Sequence, residues 1–290
     1  MNTFGQSLKL SIFGESHGPL VGITIDGCPA GLKIDKNEFN TDLARRKSGK
    51  IGTTPRKELD QPEIVSGVFK NYTTGAPITI LFHNKNVKSK DYDLFKRIPR
   101  PGHADFTAYK KYNGFNDHRG GGHFSGRLTL GLVAAGVIAK KLIFPLFVNA
   151  NLIEAGGKKD IEQAIQEALE ANDSIGGIIE CHSKNIPLGL GEPFFNKVQA
   201  VIAHLVMSIP AIKGIEFGSG FQAAQMTGSQ HNDSIIDNKG STETNNAGGL
   251  NGGITNGNDL IFRVPVKPTS STTKKQKSIN LDKGKVEELE

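Results

Sequence analysis

One stretch limits the fold more than any other. Residues 128–139 form an almost unbroken apolar run that closes on Lys140 and Lys141. The segment from about residue 125 to residue 142 predicts a helix that is apolar nearly all round, and such a helix must be buried on every side. It is too short to span a bilayer, so its cover has to be protein. Residues 8–13, 21–26, 64–69 and 77–83 supply strand-like patterns for that cover, with Gly75 in the turn between the last two. Residues 36–47 predict a short helix ending in Arg45, Arg46 and Lys47. Residues 160–171 predict an amphipathic helix with Asp160 as its N-cap, and residues 197–207 a third helix that closes near Pro210. Short strands and glycine-rich loops fill residues 214–268, and a lysine-rich tail follows. Helices set among many short strands make the fold class α+β and layered. No clean boundary interrupts the pattern, so residues 1–290 are expected to form a single domain.

Composition narrows the function. The 35 glycines imply many tight loops, and the formal charge of +6 suits small anionic ligands as well as nucleic acid. With no Trp and few aromatics, a base-stacking platform is disfavoured. Cys28 and Cys181 form no CxxC pair and read as buried thiols of a reducing compartment. The first residues, MNTFGQSLKL, lack a hydrophobic signal core, so a cytoplasmic protein is expected.

The chemistry-bearing residues are separated along the chain. Residues 14–18 read GESHG and match the G-x-S-x-G nucleophile elbow of hydrolases, with Ser16 as the would-be nucleophile. That elbow requires a helix after the turn, whereas Pro19 and a β-like VGITID follow here. His17, between glycines and beside an acid and a hydroxyl, reads as a site residue. Residues 84–123 form a long polar, irregular segment, the kind of loop that carries function. Within it, Arg100-Pro101-Gly102-His103-Ala104-Asp105 offers a second histidine that an adjacent phosphate would keep protonated. His103, Asp105, His118 and His123 have metal-ligating side chains but no recognised ligand spacing, so no metal is expected. Arg119-Gly120-Gly121-Gly122-His123 enters the apolar helix, where glycines and free N–H groups can admit an anion. Further on, Asn245 to Gly249, Asn251 to Gly253 and Lys267-Pro268-Thr269-Ser270-Ser271 are polar stretches, the last one able to contact phosphate or flavin. Gly218-Ser219-Gly220 imitates a dinucleotide fingerprint without its strand–helix context.

Taken together these motifs resemble the chorismate synthase family. GESHG running on to Asp26-Gly27-Cys28-Pro29, the segment 122–136 with Ser125, Gly126, Arg127 and Thr129, the RPGHAD block and the KPTSS block all match. The similarity covers about residues 4–274. It implies a β-α-β sandwich with core helices between antiparallel sheets, assembled as a homotetramer. The implied reaction is trans-elimination of phosphate from 5-enolpyruvylshikimate 3-phosphate, using reduced FMN without net redox change. The resemblance makes His17 and His103 the acid residues, one serving the phosphate and one the flavin. Arg45, Arg46, Arg119 and Arg127 are the cations for the substrate's carboxylates and phosphate. It maps flavin contacts to His123, Phe124, Ser125, Asn246, Gly252 and Lys267, Pro268, Thr269, Ser270 and Ser271. Arg46 takes the position of a nicotinamide or substrate-phosphate contact, with NADPH as a candidate reductant. Two departures are visible. Many members carry Arg-Ser-Ser where this chain has His123-Phe124-Ser125, and the family's Gly-Arg-His-Asp block would fall beyond Glu290. The alternative expectation is therefore a truncated, catalytically impaired flavin- or anion-binding relative.

Overall fold

The computed structural model describes residues 2–49, 51–53, 56 and 58–289. The chain divides into two units, Met1–Lys141 with Ser270–Glu290, and Leu142–Thr269. Both are mixed α and β with antiparallel sheets, as the sequence predicts.

The first unit runs through β1 (Thr3–Phe4), β2 (Lys9–Gly14), β3 (Leu20–Asp26), α1 (Phe39–Arg46), β4 (Glu63–Ser66), β5 (Val68–Phe69), β6 (Tyr72–Thr73) and β7 (Ile78–His83). It continues with α2 (Asp93–Arg97), α3 (Asp105–Lys111) and α4 (Thr129–Leu142). Its main sheet has the order β1-β2-β3-β7-β4, antiparallel throughout. On β7, Ile78, Ile80 and Phe82 are buried and alternate with partly exposed Thr79 and Leu81. On β3, Val21, Ile23 and Ile25 do the same work. This period of two gives the sheet one face for the core.

The apolar helix predicted from residue 125 is α4, entered through a short 3-10 turn, Gly126–Leu128. Leu130, Ala134, Ala135, Val137 and Ile138 are buried along it. Gly131 lets the helix sit close on the sheet: a β-carbon there would lie 3.0 Å from the Ile23 β-carbon. Lys140 and Lys141 end the helix by pairing with Asp42 and Glu38 beside α1, both at 2.6 Å. The tail closes the unit with a hairpin, Gln276–Asn280 against Lys285–Leu289. Ser278 and Leu281 bond to the carbonyls of Pro99 and Arg97.

The second unit contains β8 (Phe147–Ala155), α5 (Ile161–Glu170), β9 (Gly177–Lys184), α6 (Val198–Met207), β10 (Glu216–Phe217), α7 (Gly228–His231), β11 (Leu250–Asn251), β12 (Ile254–Thr255) and β13 (Leu260–Val266). Its sheet has the order β10-β13-β9-β8. Asp160 caps α5 as predicted, accepting from the Gln163 N–H at 3.0 Å. A small core of Ile186, Leu250 and Leu260 is packed by Leu146, Val198, Ile202 and Phe217.

Three details depart from the sequence reading. The strand predicted over residues 64–69 is two strands, β4 and β5, because Gly67 adopts φ +80° with no room for a β-carbon beside Pro77 and Ile78. The polar segment 84–123 is not irregular but holds α2, α3 and two 3-10 turns. The strands β8 and β9 carry mixed polar and apolar residues and give no clean alternation, so the pattern did not reveal them.

Leu130 is fully buried at the centre of the α4 packing. Leu130→Ala is expected to destabilise the first unit by about 2–5 kcal/mol, the range for a truncated core leucine. Urea unfolding followed by far-UV circular dichroism measures this, and an unchanged midpoint would show that α4 does not anchor the core.

Candidate active site

The GESHG turn lies between β2 and β3, and three partners shape it. The Asn84 amide donates to the carbonyls of Glu15 (3.0 Å) and Gly18 (2.8 Å). The Ser16 N–H donates to the Gly122 carbonyl at 3.1 Å. Arg56 donates to the Ser16 hydroxyl oxygen at 3.0 Å and to its carbonyl at 3.2 Å. Ser16 is 2% exposed and leads into a strand, not a helix. The geometry of a nucleophile elbow is therefore absent, and Ser16 holds the turn in shape.

His17, 7% exposed, has its Nδ1 at 3.1 Å from the Ser89 hydroxyl and its ring edge-on to Tyr92, centroids 5.0 Å apart. His103 is held by the loop before α3, where its Nδ1 lies 2.6 Å from Asp105 Oδ1. Between the two histidines passes the triple-glycine run. A β-carbon on Gly120 would lie 2.4 Å from His17 Cδ2, and one on Gly121 would lie 3.2 Å from His103 Cε1 and Nε2. All three glycines have positive φ, which L side chains avoid. Two histidines 86 positions apart in sequence thus flank one short piece of bare backbone.

Behind the turn sits a buried charge cluster. Asp60 accepts from Arg127 Nη1 at 2.9 Å and pairs with Arg46 Nη1 at 3.6 Å. Arg46 also donates to the carbonyls of Gly126 (3.1 Å) and Arg127 (3.4 Å). Burial pulls the Arg46 guanidinium below its ordinary value; Asp60 opposes that, while Arg127 and Arg56 add to it. Burial pushes the Glu58 carboxyl up, but hydrogen bonds from Arg56 and from the N–H groups of Asn86 and Lys85 outweigh it and hold it low. Three arginines, 46, 56 and 127, share two carboxylates, Asp60 and Glu58, so the cluster keeps a positive excess. Arg127 bonds Asn84 through Nε, and its Nη2 is buried with no hydrogen-bond partner among the described residues. A buried donor of that kind is costly unless an acceptor reaches it, so the cluster is built to meet an anion.

The remaining predicted residues divide. Arg119 is half exposed and bound in a fork by Asp117, both bonds 2.8 Å. Arg45 is exposed on the last turn of α1. His123 has Nδ1 on the Gly14 carbonyl (2.9 Å) and Nε2 on the Asn2 side chain (3.1 Å), so it ties the glycine run to β2. Ser125 caps the turn before α4, and Phe124 is exposed beside Tyr112. Ser271 receives a hydrogen bond from Arg100 Nη1 at 3.1 Å, and the Ser270 carbonyl accepts from Gln276 at 3.4 Å. Asn246, Gly252, Lys267, Pro268 and Thr269 belong to the second unit. There Asp233 fixes the Asn246 loop through the N–H groups of Asn246 (2.7 Å) and Ala247 (2.9 Å). Gly252 turns the β11–β12 hairpin with open space in front of it. The sequence reading passed over Arg56, Asp60, Asn84, Ser89 and Tyr92. No local motif marks them; only the buried contacts reveal them.

A buried arginine cluster near a turn histidine, and a glycine passage against two histidines, form an arrangement that can receive an anion. The sequence model of the chorismate synthase family matches residues 8–290. A chorismate synthase of Chitinophaga pinensis is 60% identical over 288 residues, covering 99% of this chain and 87% of the relative. One from Dehalococcoides mccartyi is 45% identical, covering 97% and 86%, and one from Methanocaldococcus jannaschii 41%, with the same coverage. A crystal structure of a chorismate synthase superposes with a TM-score of 0.73 at 29% identity, covering 91% of this chain and 84% of that one. The chain belongs to the chorismate synthase family. It is a lyase of aromatic amino acid biosynthesis, and the near full-length identity favours the enzyme over the impaired relative.

Gly120→Ala places a methyl group against the His17 ring at a backbone angle of +61°. The variant is expected to fold but to lose at least ~10-fold in affinity for a phosphate-bearing substrate analogue, since one displaced site residue is worth about 1.4 kcal/mol or more. Isothermal titration calorimetry measures it, and unaltered affinity would show that the glycines are only a flexible entry turn.

Proposed function

We propose that this chain converts 5-enolpyruvylshikimate 3-phosphate to chorismate and phosphate with reduced FMN, and that His17 and His103 are its acid residues. The observation that carries the assignment is the placing of both imidazoles against adjacent glycines, His17 at Gly120 and His103 at Gly121. A substrate group resting on that bare backbone lies within reach of two proton donors, as general acid chemistry demands.

The substrate carries two carboxylates and a phosphate, and the arginines account for that charge. Arg127 and Arg46 are pre-oriented by Asp60 and supply the buried part of the anion site. Arg119, fixed by Asp117, and Arg45 add charge at its exposed side. Fixed cations of this kind lower the cost of phosphate departure because they need no reorganisation when charge develops. Arg46 also stands as the contact for a nicotinamide reductant, NADPH.

The family uses reduced flavin, and the residues present fit it: a lysine, three hydroxyls and an open glycine hairpin are the donor types a flavin phosphate takes. When bound, reduced flavin supplies electron density to the reacting ring. The flavin contacts we carry over from the family resemblance are Phe124, Ser125, Ser270 and Ser271 in the first unit and, separately, Asn246, Gly252, Lys267, Pro268 and Thr269 in the second. His123 joins them through its backbone, since both ring nitrogens already hold Gly14 and Asn2.

Self-association is part of the proposal. The helix α6 buries none of its residues although it is largely apolar, and Val201 and Met207 are exposed on it. The edge strand β8 exposes Phe147, Val148 and Leu152. Apolar surface on this scale suits subunit contact, and a homotetramer is the assembly we infer. Among the described residues no helix is long and apolar enough to cross a membrane. A cytoplasmic site of action is our inference from the biosynthetic role of the family.

Anaerobic assay of chorismate formation with dithionite-reduced FMN tests the reading. His103→Ala is expected to cut turnover by ~10²-fold or more, the loss of one general acid, and an unchanged rate would remove His103 from the reaction.

A further inference from the structure

Asp105 has no place in the chemistry assigned above, yet it is among the most heavily bonded side chains of the first unit. Its carboxylate is 7% exposed and accepts four hydrogen bonds. Oδ2 takes the Arg100 N–H at 3.1 Å and Arg100 Nε at 2.8 Å, and Oδ1 takes Arg100 Nη2 at 3.0 Å and His103 Nδ1 at 2.6 Å. Four acceptances fill the capacity of an ionised carboxylate. Burial pushes the Asp105 carboxyl up, but the bonds from His103 and Arg100 overcome it and hold the group well below the usual carboxylate range. The acceptor is therefore an anion at neutral pH.

A carboxylate only accepts, so the His103 Nδ1 that touches it must carry the hydrogen. Arg100 Nη2 also lies 3.1 Å from that nitrogen and 3.2 Å from Nε2. Arg100 only donates, so its productive bond runs to the lone pair of Nε2. Asp105 thus selects the tautomer of the neutral ring, and Arg100, close to both nitrogens, is compatible with it. The same Nε2 lies at the Gly121 surface, 3.2 Å from where a β-carbon would sit. Around the pair, Ser271 bonds Arg100, the Phe95 and Tyr92 rings lie against its guanidinium at 4.5 and 5.7 Å, and Lys96, Tyr109, Asn116 and His118 line a cavity together with Asp105.

We propose that Asp105 is a positioning residue that, clamped by Arg100, holds His103 as the Nδ1-protonated tautomer so that Nε2 is the nitrogen that exchanges its proton at Gly121. The logic is that of an aspartate behind a catalytic imidazole, which orients the ring and fixes which nitrogen works. It rests on the assignment of His103 as an acid residue, but the tautomer can be read without turnover.

Asp105→Asn gives a directional test. The Asn oxygen at the Oδ2 position keeps the bonds from the Arg100 N–H and Nε and gives up that from Arg100 Nη2. The amide nitrogen then faces His103 Nδ1 as a donor, and the ring must move its proton to Nε2. Long-range 1H–15N spectra of the labelled protein, above the pH at which the imidazoles titrate, report which nitrogen is protonated. His103→Gln identifies the resonance. Wild type is expected to show Nδ1–H and Asp105→Asn to show Nε2–H, with turnover falling ~10²-fold or more at a nearly unchanged KM. Nε2–H in wild type would overturn the proposal even if the variant failed to fold. So would a variant that keeps Nδ1–H, or one that switches tautomer without losing turnover. A wild type with the Nδ1–H tautomer but no chorismate formation would instead count against the assigned reaction and leave the role of Asp105 standing.

Discussion

The site depends on one close approach, the passage of the triple-glycine run between two imidazoles. His17 comes from a turn between strands and His103 from a loop before a short helix. Nothing in either segment forces them together. Gly120 and Gly121 do so by presenting no side chain at the two contact points. The Gly122 carbonyl then holds the His17 turn through the Ser16 N–H, and His123 holds the Gly14 carbonyl. The run is therefore the common seat of both histidines, fastened to the end of β2 at Gly14 and to the turn at Ser16.

That seat would be loose without the charge cluster behind it. Asp60 sits between Arg46 of α1 and Arg127 at the entry to α4, and so ties two helix ends together through one carboxylate. Burying three charges is costly unless each is bonded. Here the carbonyls of Gly126 and Arg127, the Asn84 side chain and the Asp60 oxygens satisfy most of the donors. One Arg127 nitrogen has no hydrogen-bond partner among the described residues. The fold thereby stores an unfulfilled donor at the place where an anion is chemically wanted, a local cost that α4 and its buried leucines and alanines offset.

The sequence made some of this legible and concealed the rest for definite reasons. The burial of α4 could be read because an all-round apolar helix has one solution, and Asp160 could be read because N-capping is local. The glycine run and the two histidines could be singled out because their residue types are unusual together. The residues that complete the site act across distance. Arg100 meets Ser271 over 171 positions and Arg127 meets Asp60 over 67, and no periodicity encodes such a pairing. The segment 84–123 looked irregular because its helices are short and stabilised by contacts with other segments, such as Ser278 on Pro99, more than by an apolar stripe of their own.

The two histidines also differ in a way that their sequence contexts do not show. His17 is buried, edge-on to Tyr92, with a hydroxyl at Nδ1 that can either donate or accept. His103 is partly exposed, with the Asp105 carboxylate at Nδ1 and the Arg100 guanidinium close to both ring nitrogens. A hydroxyl partner at Nδ1 is compatible with either tautomer of His17, whereas the carboxylate of Asp105 at Nδ1 of His103 is compatible with only one neutral form. An elimination that moves protons at two places has use for one imidazole that adapts and one that is set. If the two histidines are the acids proposed above, the difference between them lies in their neighbours, Ser89 on one side and Asp105 on the other.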